Sequence, residues 1–136
     1  MPLILLKIFS LAFLVNLLWE VSHSVLYKTC LELPLPKYVK LIIKASLKDA
    51  FFITLFYLIT VLIFKNFYIL QNYFQLAVFV FICLLFSFFD EIISLKYKRW
   101  QYAEQMPKIF GVGLTPFLEL AVTGLIIFKS IFHIAL

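Results

Sequence analysis

Glu20 and His23 stand three residues apart inside an otherwise apolar run, and with Asn16 and Tyr27 they are spaced by four, three and four. At 3.6 residues per turn these four side chains share one helix face. Glu20 falls roughly 9–10 Å inside the end of the run, at 1.5 Å of rise per residue. An ionisable group at that depth in a membrane must face other helices and find a partner. So placed, Glu20 suits the role of an acid, a proton carrier or a ligand, or that of an anchor to Lys44 or Lys48 on a neighbouring helix. Glu20-Val-Ser-His23 also has the Glu-x-x-His spacing of di-metal carboxylate bundles. Those sites need two such motifs, and the other histidine, His133, falls at the opposite end of the chain's last apolar run. No metal and no cofactor is therefore assigned; were a metal bound, Glu119 with Asp49 or Glu91 are the further ligands on offer. Alone, His23 reads as a hydrogen-bonded packing residue or a pH-sensitive switch.

The remaining carboxylates are read in the same way. Asp49 follows Lys48, a pairing that often does no more than meet water at an interface. Ser87, Asp90 and Ser94 share a stripe, with Glu91 some 100° round the helix from Asp90. Two adjacent carboxylates do not both face inward, so one points into the bundle and the other meets Lys or Arg in the headgroup region. Trp100 and Tyr102 are amphipathic rings suited to the membrane interface. Thr115 and Pro116 form a helix start, Thr115 as cap and Pro116 in the first turn. Glu119 then lies one turn in, near the positive end of the helix dipole. The candidate catalytic residues are Glu20, Glu119, Asp49 and Glu91; the candidate substrate-binding residues are Asn16, Trp19, His23, Trp100, Tyr102 and Pro116.

The elements that must position them follow from composition. Of 136 residues, 65% are hydrophobic and 14% charged, against about 45–50% and about 25% in soluble domains. That excludes a soluble globular enzyme, and only three Gly and five Pro exclude collagen-like structure. Four apolar stretches, about 3–26, 41–64, 74–93 and 114–134, each reach the ~20 residues of a spanning helix. Continuous rather than alternating apolarity argues against strands. The expected fold is an all-α integral membrane protein, a four-transmembrane-helix up-down bundle forming a single domain over 1–136. The first stretch reads as a span rather than a cleaved leader, with no basic residue before Lys7 and no small-residue cleavage pattern.

Nine of the twelve basic residues, from Lys28 to Lys48 and from Lys96 to Lys108, gather near one face. The positive-inside rule then places both termini outside and loops 27–40 and 94–113 in the cytoplasm, at a bacterial inner membrane. All seven carboxylates lie in that same half. Cys30 and Cys83 belong to different depths and form no disulfide framework. Gly-rich phosphate loops, Cys-x-x-Cys pairs, Ser/His elbows and Asp-x-x-Asp runs are absent. The three glycines, between 111 and 124, make no Gly-x-x-x-Gly packing motif. No exposed basic domain points to nucleic acid; the basic residues suit anionic membrane lipids.

From Trp100-x-Tyr102 through Gly111 and Leu114 to Pro116-Phe117-Leu118-Glu119, the chain resembles the membrane-embedded lycopene cyclase domain of bacteria, archaea and fungi. That family has a Trp-x-aromatic element before a Gly-containing loop, then a Pro-x-Glu-Glu helix start. The likeness covers residues 90–120 or so, and Leu118 stands where the first Glu of the pair would be. As a whole the chain resembles small four-span bacterial membrane proteins. The cyclase likeness implies a cofactor-independent enzyme acting on a long apolar isoprenoid or polyene. An acid protonates a terminal alkene, aromatic faces line a dry pocket around the cation, and a base removes a proton. It implies Glu20 and Glu119 as acid and base, with Trp19, Trp100 and Tyr102 in the lining. Two other readings stay open. The lone Glu of the first helix is similar to that of small multidrug exporters, which implies a proton-coupled transporter. The carboxylates and lysines also suit a non-enzymatic subunit of a homo- or hetero-oligomer.

Overall fold

The computed structural model describes residues 1–133. Helix α1 covers Pro2–His23 and passes into a 3-10 turn at Ser24–Leu26; α2 is a short helix at Lys28–Glu32. Helix α3 covers Leu35–Phe64, α4 Tyr73–Lys96 and α5 Leu114–His133. Strands β1 (Lys108–Ile109) and β2 (Val112–Gly113) pair as a small antiparallel hairpin before α5. Helices α1, α3, α4 and α5 are each long and apolar enough to cross a membrane. The expected end of the last helix at residue 134, and the side chain of His133, lie outside the described residues.

The structure corrects the expected boundaries. The second long helix starts at Leu35 rather than residue 41. Pro34 precedes it in an extended conformation and Pro36 sits in its first turn, where a missing N–H and a fixed φ favour a start. Lys37 and Lys40 lengthen it because lysine is a good helix former even where it is too polar to span. The fold is also not purely helical. Phe110 and Gly111 both have positive φ, at 50° and 78°, the backbone of a two-residue hairpin turn.

Neighbouring long helices run in opposite directions, as their contacts show. Between α3 and α4, Lys48 meets Asp90 at one end and Asn66, just past α3, meets Gln75 at the other. Between α1 and α5, His23 meets Thr115 and Asn16 meets Thr123. Between α4 and α5, Phe88 contacts Phe117 and Phe79 contacts Phe128. Helix α1 packs on α3 and α5, and α4 closes the ring by packing on the same two. The core between them holds Ile8, Ala12, Ile53, Tyr57, Phe79, Cys83, Ile127 and Phe128. Outward faces are apolar as well: Leu3, Leu18, Leu62 and Phe81 are exposed by 63–71%.

At the end of the bundle away from the carboxylates, α4 begins at a well-made cap. The Asn72 side-chain oxygen accepts hydrogen bonds from the Phe74 and Gln75 N–H groups, at 3.1 and 3.2 Å. Removing it in Asn72→Ala is expected to lower stability by about 1 kcal/mol, read as a reduced Tm in detergent micelles. An unchanged Tm would mean that water satisfies those N–H groups equally well.

Candidate functional site

At the other end, the first and third connections are laced together. The Ala103 N–H donates to the Leu26 carbonyl at 2.8 Å, and the Gln101 N–H to the Thr29 hydroxyl at 2.8 Å. Tyr27 and Tyr102 form an isolated antiparallel bridge. This double strap covers a cavity of about 400 Å³ between α1, α3, α4 and α5. Glu20 and His23 enter it from α1, Asp49 from α3, Glu91 from α4, and Pro116 and Glu119 from α5. Leu41, Ile42, Phe86 and Leu120 give it an apolar wall, while Lys44, Lys48, Asp90 and Arg99 give it a charged one.

The carboxylates divide by partner. Lys48 Nζ donates to Asp90 Oδ2 at 2.7 Å and lies 5.9 Å above the Trp100 ring. Glu91 receives the Tyr102 hydroxyl and, at 3.3 Å, the Trp100 indole N–H on the same oxygen. Tyr102 in turn accepts the Gly113 N–H at 2.9 Å. Adding a Cβ at Gly113 would bring it to 3.0 Å from the Tyr102 ring and 3.1 Å from Pro116, so the strap passes close here. Burial first, and then the Glu91 hydrogen bond, push the Tyr102 phenol above its ordinary value. It therefore stays a donor at neutral pH.

Glu20, Asp49 and Glu119 lack such generous partners. His23 Nε2 is 3.0 Å from Glu20 Oε2 and 3.9 Å from Glu119 Oε2. Asp49 sits against Glu20 and is 7% exposed. Glu119 is 5% exposed, and its Oε1 has no hydrogen-bond partner among the described residues. Buried carboxylates this close are tolerated when they share a proton or surround a cation. His23 is oriented from behind, its Nδ1 lying 3.1 Å from the Thr115 hydroxyl. Its ring is flanked edge-on by Trp19 and Tyr27.

Compared with known proteins, the chain matches no family model, no curated protein and no solved structure. The site is accordingly read from its own geometry.

Glu20, Glu119, Asp49, Glu91, His23, Trp100 and Pro116 all line the cavity. Three other candidates do not. Asn16 is fully buried between helices, donating to the Ala12 carbonyl and accepting the Thr123 hydroxyl. Its polarity serves helix packing. Trp19 touches His23 only from outside the cavity, and Tyr102 stands one layer back, holding Glu91. Glu20 pairs with neither Lys44 nor Lys48, because its near neighbour His23 satisfies it and Lys48 is bound to Asp90. Asp49 is buried rather than solvated, and the buried stripe of α4 is Ser87, Glu91 and Ser94, with Asp90 at its margin. Thr115 is no cap: α5 begins at Leu114, and the Thr115 hydroxyl turns to His23 and Met106.

Cys30 and Arg99 also line the cavity, although the sequence assigned them no site role, and Lys44 lines it without the expected pairing to Glu20. They come from the five-residue α2, from an irregular connection and from the polar first turns of α3, where no periodicity tells inside from outside. Burial, with Glu20 nearby, pushes the Cys30 thiol up. It is thus a neutral wall group and not a nucleophilic thiolate.

Proposed function

We propose that the protein is an integral membrane enzyme performing acid–base chemistry on the end group of a long apolar, isoprenoid-like molecule. The reading rests on one observation: five carboxylates and a histidine from all four long helices converge on a single cavity with an apolar wall. Apolar outward faces support burial in lipid. The charge bias of the loops supports both termini outside and the strapped end in the cytoplasm.

In this reading Glu20, steadied by His23, and Glu119 are the acid and base. One carboxyl gives its proton to a terminal alkene carbon, leaving the positive charge on the neighbouring carbon. Ring closure or bond migration moves that charge, and the second carboxylate removes a proton, so the product is an isomer of the substrate. Phe86 and Trp100 line the path of the cation, for which aromatic faces are favourable. Asp49 holds the Glu20 side of the pair, and Glu91 fastens the strap.

The test starts with gentle purification and identification of the apolar molecules that travel with the protein, by absorbance and mass spectrometry. An enriched isoprenoid or polyene is expected. Glu20→Gln and Glu119→Gln should each reduce kcat by about 10²–10⁴-fold, with folding and insertion intact and KM little changed. Proton-linked flux without turnover would replace the enzyme by a carrier. Bulk phospholipid together with a stoichiometric protein partner would replace it by a subunit of a larger complex.

A further inference from the structure

The same three residues that the acid–base reading draws on, Glu20, His23 and Glu119, also hold an arrangement of a different kind. Glu20, His23 and Glu119 each present one ligand atom, and the three atoms lie within 4.8 Å of one another. Ligands on a tetrahedral divalent ion at about 2.0–2.1 Å are separated by about 3.3 Å. The spacings here, 3.0 Å from His23 Nε2 to Glu20 and 3.9 Å to Glu119, bracket that value. We propose that Glu20, His23 and Glu119 bind a first-row divalent cation of the Zn²⁺ type, with Asp49 beside them as an outer carboxylate.

Two further observations point to a ligand. The first is Glu119 Oε1, buried and without a partner among the described residues, on a side chain that lines the cavity. An unsatisfied carboxylate oxygen in such a place needs a proton or a cation. The second is the hydrogen-bond chain behind His23. The Thr115 hydroxyl lies 3.1 Å from His23 Nδ1 and 3.6 Å from Met106 Sδ, so its oxygen is placed to accept Nδ1–H while its own proton turns to the sulfur. In that tautomer Nε2 turns its lone pair towards the two carboxylates and ligates a cation placed between them. An oxygen hydrogen-bonded to the far ring nitrogen is how metal-ligating histidines are generally oriented.

Charge agrees. Asp90 is matched by Lys48, and Glu91 by two donors. The remaining Glu20, Asp49 and Glu119 face one imidazole. One nitrogen and two carboxylate oxygens suit Zn²⁺, Mn²⁺ or Fe²⁺ better than Ca²⁺ or Mg²⁺, which favour oxygen alone. Only one Glu-x-x-His is needed, because α5 supplies the third ligand across the bundle. The site shares Glu20 and Glu119 with the isoprenoid reading, which needs one of them protonated, so the metal-bound form is not the acid–base form, and the two are read by different measurements: metal on the substrate-free protein, turnover on the substrate.

The full-length protein, stripped with chelator in detergent, would be titrated with Zn²⁺ and, for its visible ligand-field absorption, with Co²⁺. One equivalent per chain, retained through dialysis against metal-free buffer, is expected. His23→Gln and Glu119→Gln should each weaken binding by about 100-fold or more, beyond the loss typical of an outer-shell change. Glu32→Gln, on an exposed side chain paired with Lys28, should bind as wild type. Should either cluster variant misfold, the wild-type Co²⁺ protein still decides: a paramagnetically shifted, exchange-protected imidazole N–H is expected from His23 Nδ1. Absence of stoichiometric binding overturns the proposal, as does binding indifferent to His23→Gln; His23 then donates Nε2–H to Glu20 and a proton takes the cation's place.

Discussion

Glu91→Leu is expected to release the strap from the bundle and to lower stability by about 3 kcal/mol or more. The Tyr102 hydroxyl and the Trp100 indole N–H converge on one Glu91 oxygen, and hydrogen bonds to a charged group contribute about 1.5–3 kcal/mol each. Taking away the shared acceptor leaves two half-buried donors unpaired at once, which is the expensive way to break such a cluster. Against this stands the desolvation penalty of the carboxylate itself, which leucine relieves. The donors decide the sign, because leucine fills space and accepts nothing. Glu91→Gln separates charge from hydrogen bonding: it keeps an acceptor and should lose only about 1 kcal/mol. Unfolding in micelles gives the stability. Trypsin cleavage at Lys96, Lys98 and Arg99 reports the strap, and Trp100 fluorescence in a Trp19→Phe background reports its local environment. A strap that stays protected in Glu91→Leu would show that the Leu26–Ala103 and Thr29–Gln101 bonds hold it unaided.

The difference between what the sequence revealed and what it hid follows from the kind of force involved. Long apolar runs announce α1, α3, α4 and α5 because backbone groups in lipid must be satisfied within each helix. Glu20, Asp49, Glu91 and Glu119 were legible as a group for a related reason: a carboxylate at depth needs company, so it points inward. The same rule misled at Asn16, since a neutral amide can be satisfied by one carbonyl and one threonine between packed helices. Partner choice was hidden. Whether Lys48 meets Glu20, Asp49 or Asp90 depends on helix rotation within a fraction of a turn, which spacing along one chain does not fix. The strap was hidden more deeply, because Trp100, Tyr102 and Gly113 acquire their roles only when the hairpin folds back over Tyr27.

Gly124 shows a different kind of omission and carries the second large effect. A search for paired glycines passes over it, yet a Cβ at this position would lie 2.7 Å from two atoms of the Phe79 ring. Ordinary carbon contacts are about 3.5–4.0 Å, so α4 and α5 would have to part by about 1 Å or Phe79 would have to turn. Turning is blocked: Phe79 is fully buried and packed edge-on against Phe128 at 4.8 Å, and Phe128 is buried against Tyr57. Two effects compete in Gly124→Ala. Helix propensity favours alanine by about 0.8–1 kcal/mol, while overpacking costs about 1–3 kcal/mol. The clash wins, with a net loss of about 1 kcal/mol for alanine, and for Gly124→Leu a loss of about 3 kcal/mol or more that separates the helices. Phe79→Leu in the alanine background should restore part of the stability, with a coupling of about 0.5–3 kcal/mol between the two sites. A Tm that rises in Gly124→Ala alone, as propensity by itself predicts, would sink this account of how α5 seats against α4, and with it the reason Glu119 is held at its depth facing His23.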